Sequence, residues 1–84
     1  MQAPHPAGWF VGAMEEWQQE LGMSHQEFAA YLERGEGWWS RVRNGRRNLP
    51  LAIVRRVLRE RPDFQAYVLL DLVGNGRSAL DGAG

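Results

Sequence analysis

Apolar residues recur at steps of three and four along most of this chain, and Gly or Pro cuts each run short, a pattern that dictates a set of short amphipathic helices. Phe10, Met14, Trp17 and Leu21 line one helix face, and Gly22 ends that helix. Ser24-His25-Gln26-Glu27 reads as a capping box, in which the Ser24 hydroxyl accepts from the third amide of a second helix while Glu27 reaches back to the cap. Phe28, Ala29 and Leu32 form the inward stripe of that helix, and the two Gly in Glu33-Arg34-Gly35-Glu36-Gly37 predict a turn after it. A short third helix, Trp38 to Arg43, follows with Trp39 and Val42 inward, closed by Asn44-Gly45, a pair suited to left-handed backbone. Beyond the basic loop Arg46-Arg47-Asn48-Leu49, Pro50 fits the first turn of a fourth helix, where its missing amide has no partner to lose. Ile53, Val54, Val57 and Leu58 face inward there, and Arg55, Arg56 and Arg59 outward. Pro62 marks the next break and Asp63 opens a fifth helix, 63–73, which is apolar around more than one face. With no strand alternation and no repeat, the expected fold is all-α, a compact five-helix bundle.

Eighty-four residues fill one domain, 1–84, with an irregular arm at 1–7, a helical body at 8–74 and a flexible tail at 75–84. At 44% hydrophobic with four Trp, among which Trp9 and Trp17 read as core, the chain can offset its entropy without staples. It has no Cys, which excludes thiol chemistry and Cys-based zinc sites. Together with the lack of a signal-peptide pattern or a membrane-length apolar run, this points to a cytoplasmic protein. His5 and His25 lack a third ligand at any recognised spacing, so no metal or cofactor is expected, and no small-molecule ligand is evident. No nucleophile stands beside a base, and Glu15-Glu16 reads as a solubilising pair on an outer helix face, so no enzyme is expected.

Net charge is zero, but the charge is unevenly distributed. Residues 1–33 carry five Glu and no Lys or Arg, a net −5; residues 34–61 carry nine Arg against Glu36 and Glu60, a net +7; residues 62–84 carry one Arg and three Asp, a net −2. All basic side chains are Arg, which suits bidentate contacts to phosphate or guanine and equally fits a GC-rich genome.

The stretch 25–44, a capped helix, a Gly-containing turn and a short helix opening a basic loop, resembles the helix-turn-helix of the Cro and lambdoid repressor family, also called the xenobiotic-response-element family. Ala29 stands where that family places a small residue between the two helices. Asn44-Gly45-Arg46 resembles its Asn-Gly-basic ending, and Phe28, Leu32, Trp39 and Val42 match its buried positions. Glu33 stands where the family turn usually has Gly. The likeness covers roughly residues 10–60 and implies a lambda-repressor-like domain whose helix 36–43 enters the major groove of double-stranded DNA. On that reading Arg41, Ser40, Glu36 and Trp38 contact bases, Arg41 through guanine O6 and N7. His25, Arg43, Asn44, Arg46 and Arg47 hold phosphates, His25 because it opens a helix whose N-terminus attracts anions.

Plainer readings stand beside these. An Arg-rich loop can be a solvated face, His25 a surface residue beside a cap, and Arg55, Arg56 and Arg59 a solubilising stripe. Adjacent Trp38 and Trp39 cannot both point inward from a helix, so one is expected at least partly exposed, and Trp39 fits the core better. The overall expectation is a transcriptional repressor, a homodimer through Tyr67, Leu69, Leu70 and Val73, with no membrane partner. The alternative is a protein-binding helix-turn-helix module, such as an antitoxin or a partner of a polymerase or recombinase.

Overall fold

A computed structural model describes residues 7–74, so the expectations for residues 1–6 of the arm and for the tail 75–84 lie outside the described residues. Five α-helices follow in order: α1 Trp9–Glu20, α2 His25–Tyr31, α3 Glu36–Arg43, α4 Leu51–Glu60 and α5 Gln65–Gly74, with a 3-10 turn at Pro62–Phe64 leading into the last. There is no strand among the described residues. None of these helices is long and apolar enough to cross a membrane.

Local chemistry explains most helix ends. The Ser24 hydroxyl accepts from the Glu27 amide at 3.1 Å, and the Glu27 carboxylate takes the Ser24 amide at 2.8 Å, which completes the capping box of α2. Gly45 closes α3 with φ of +74°. Pro50 sits one place earlier than expected, as the extended N-cap of α4, and its carbonyl accepts from Ile53 and Val54. The fifth helix begins as 3-10 because the Pro62 ring allows a tight first turn before α-geometry takes over at Gln65.

One end is capped from afar. Nothing in α1 caps its own N-terminus; Asp71 of α5 does so, accepting from the amides of Trp9 at 2.6 Å and Phe10 at 3.1 Å. Gly8 makes room for this with φ of +104°, where a Cβ would stand 2.9 Å from the Asp71 carboxylate. Helices α1 and α5 pack together along this contact.

The core joins four helices and the 3-10 turn, Met14 and Trp17 of α1, Phe28 and Ala29 of α2, Trp39 and Val42 of α3, Val57 of α4, and Phe64, with Tyr67 and Val68 of α5 packed against it. Trp17 is its aromatic hub, meeting Phe28, Tyr31 and Phe64 edge to face at 5.7, 5.9 and 6.0 Å. Ala29 is fully buried, so α2 and α3 meet over a small side chain. Two expected core residues lie elsewhere: Leu21 is exposed because α1 has ended before it, and Trp9 is only half-buried at the helix start.

The turn between α2 and α3 carries a left-handed residue that is not Gly. Glu33 has φ of +60°, a conformation that favours Gly, and its carboxylate meets Arg56 of α4 at 2.9 Å. The Tyr31 hydroxyl donates to Glu60, so the end of α2 is fastened to α4 at two points.

Candidate nucleic-acid interface

Helix α3 is held from beneath by a polar hub. Gln18 of α1 is 5% exposed, the one buried polar residue among the described residues. Its oxygen accepts from the Trp39 indole N–H at 2.9 Å, and its nitrogen donates to the Met23 carbonyl at 3.1 Å and to Nδ1 of His25 at 3.0 Å. The Gln18 oxygen is 3.2 Å from the same ring nitrogen but already takes the indole proton. His25 Nδ1 is thus tied to the Gln18 side-chain amide, which leaves Nε2 as the ring nitrogen not engaged by Gln18, on a residue exposed at the start of α2.

With Trp38, Trp39 and Val42 inside, α3 turns Glu36, Gly37, Ser40, Arg41 and Asn44 outward, all exposed except half-buried Ser40. The Arg41 guanidinium lies back along the helix, with Nη1 3.4 Å from where a Cβ on Gly37 would stand, so the glycine keeps that path open. The basic loop folds onto the end of α3: the Arg46 amide donates to the Arg41 carbonyl at 2.8 Å and the Gly45 amide to Val42 at 3.1 Å. Arg46 and Arg47, which follow Gly45 in that loop, are exposed.

The acidic front third neutralises some of the arginines but not these. Glu15 pairs with Arg43 at 3.6 Å, Glu33 with Arg56 at 2.9 Å and Glu20 with Arg61 at 3.5 Å, while Asp63 also meets Arg61 at 2.9 Å. The Arg61 hydrogen bond holds the Asp63 carboxyl below its ordinary range, and Asp63 in turn raises Arg61. Among the described residues no acid pairs with Arg34, Arg41, Arg46, Arg47, Arg55 or Arg59.

Two candidates stand apart from the rest. Trp38 is 6% exposed, which overturns the expectation that one of the two adjacent indoles is open to solvent and removes its edge from any base. Both fit because α3 is covered from two sides, by α1 and α2, and because Trp38 stacks on Trp39 at 6.2 Å beneath the Arg34 guanidinium, 5.5 Å from the ring centre. The buried Trp38 indole N–H has no hydrogen-bond partner among the described residues. Arg43 is turned inward: it pairs with Glu15, lies 5.9 Å from the Trp39 ring centre, and leaves a 19% exposed side chain. Glu15 is accordingly half-buried rather than a solubilising surface acid like Glu16.

Arg34 was not among the expected contacts, yet it is an exposed cation at the turn into α3. Its place four residues before Trp38 is the signal that marks it, since residues so spaced on or beside a helix meet. On the far side, α5 exposes Leu69, Leu70, Leu72 and Val73, whereas Tyr67 is half-buried with its ring edge-on to Phe64 at 5.6 Å. Asp71, the only charged residue of α5, is bound to the start of α1. Comparison with protein-family models, curated proteins and solved structures finds no match to this chain.

Proposed function

We propose that the protein binds double-stranded DNA and acts as a transcriptional repressor. The outward face of α3 enters the major groove, with Arg41 reading guanine and Ser40 and Glu36 as its neighbours at the base edges. Arg46, Arg47 and Asn44 grip phosphates, and His25 adds a contact from the exposed start of α2. The observation that carries this reading is the sorting of the arginines: among the described residues Arg43, Arg56 and Arg61 are paired with acids, while Arg41, Arg46 and Arg47, in and just after α3, stand exposed without an acid partner, as do Arg34, Arg55 and Arg59 elsewhere. Duplex DNA supplies the missing anions in a row.

A second copy of the chain completes the DNA-binding unit through α5. The outer face of that helix is apolar and carries no charge, so two copies related by a twofold axis meet without repulsion and present two α3 helices to successive grooves. Titration of mixed-sequence duplex DNA at rising salt tests the reading. Affinity falls by about 0.9 log units per log unit of salt for each phosphate gripped. A flat response assigns the arginine face to a protein partner instead.

A further inference from the structure

A cavity of about 470 Å³ opens between the start of α1, the basic loop and α5, within the roughly 300–1,000 Å³ range of small-ligand sites. Phe10 and Val11 of α1, Leu49, Val54 of α4 and Val68 of α5 give it apolar walls. Among the described residues, its charged lining residues are Arg47 and Asp71. They are not equivalent. Asp71 accepts two backbone amides at the positive end of α1, so its charge is already met, whereas Arg47 has no acid partner among the described residues.

We propose that this cavity binds a small amphipathic monocarboxylate, its hydrocarbon body on the apolar walls and its carboxylate on the Arg47 guanidinium. The engaged state of Asp71 decides the sign of the ligand: a cation finds no free carboxylate there, and an anion finds a free planar donor suited to bidentate contact. A neutral apolar molecule of the same shape leaves Arg47 unused. Because Arg47 is also a phosphate contact in the DNA reading above, the ligand and the DNA backbone compete for it, and the carboxylate acts as an inducer that releases DNA. That last clause rests on the DNA reading; binding of the carboxylate does not.

The probe is decanoate, added to the full chain without DNA and followed through backbone amide NMR shifts, with decanol as the uncharged control. Saturable binding with shifts concentrated at Val11, Leu49, Val54 and Val68 is expected, about tenfold weaker for decanol and for decanoate on Arg47→Gln, the loss of one charge-assisted contact. Arg47 is exposed, so the substitution leaves the fold intact. Absence of saturation, equal affinity for decanol, or shifts centred on Leu69, Leu70 and Val73 overturns the proposal, the last by showing adsorption to the open face of α5. In a separate titration with bound duplex, decanoate releases wild-type protein. Failure of DNA binding alone leaves the ligand measurement standing.

Discussion

The indole N–H of Trp39 and the side-chain oxygen of Gln18 form a buried hydrogen bond 2.9 Å long that joins α3 to α1. Gln18→Leu removes the acceptor and leaves the indole N–H sealed in the core, at a cost of about 1–3 kcal/mol. In a Trp39→Phe background the same change costs less, because there is no N–H to strand. Urea unfolding of the wild type, both single variants and the double variant measures the coupling; strictly additive losses would show that the bond contributes nothing.

Asp71 serves as the N-cap of a helix it does not belong to. Asp71→Ala is expected to lower stability by about 0.5–2 kcal/mol, the usual loss of a cap. Hydrogen exchange should accelerate first at the amides of Trp9 and Phe10. If exchange rose instead only within α5, the carboxylate would not be what holds the start of α1.

Tyr31 supplies a pH dependence. Its hydroxyl donates to Glu60, and that bond, with some burial and the nearby negative charge, raises the phenol above its ordinary value of 10.0, against a smaller opposing pull from Arg56. A proton bound more tightly in the folded state stabilises the fold below the unfolded value, and this contribution is lost as pH climbs through the folded one. Wild type should therefore lose stability in that alkaline range, and Tyr31→Phe should lose less. Thermal melts across the range, with the tyrosinate absorbance band as the titration marker, compare the two.

On DNA the arginines should separate into three behaviours. Arg41→Ala flattens preference at one base position, a loss of about 1–3 kcal/mol of discrimination. Arg46→Ala weakens all sequences alike and reduces the salt slope by about one phosphate. Arg43→Ala, whose guanidinium is already paired with Glu15, leaves the slope unchanged. Fluorescence anisotropy with a selected operator and a scrambled duplex distinguishes these outcomes, and an unchanged operator affinity for both Arg41→Ala and Arg46→Ala defeats the site assignment.

Leu70→Asp places a charge on the open face of α5 without entering the core, since Leu70 is exposed. Sedimentation equilibrium should show a dimer for the wild type and a folded monomer for the variant. A monomeric wild type ends the dimer proposal.

Most helix boundaries were legible because the residues that set them act locally, although α3 starts at Glu36, two residues before the expected Trp38, and α5 at Gln65 rather than Asp63. Ser24 with Glu27, Asn44 with Gly45, and Pro50 and Pro62 each work within a few residues of the backbone they direct. The outer face of α3 was legible for the same reason, through helical period alone. What escaped the sequence joins segments far apart in the chain. Asp71 reaches Trp9 across 62 positions and Gln18 reaches Trp39 across 21, and neither spacing carries a periodic mark. The inward turn of Arg43 needs Glu15 from another helix. Burial of both Trp38 and Trp39 needs two helices pressing on α3, which no single-helix pattern can state. Glu33 is an intermediate case: the resemblance sets it where the family turn usually has Gly, but nothing in a glutamate itself marks its positive φ.

The carboxylate that α5 lends to α1 also makes the two helices mechanically inseparable. A partner that pulled α5 away would strip α1 of its cap and start it unravelling from Trp9. Load applied near the last described residues of the chain is thus felt near the first, and α5, for all its exposed leucines, cannot serve as a detachable arm.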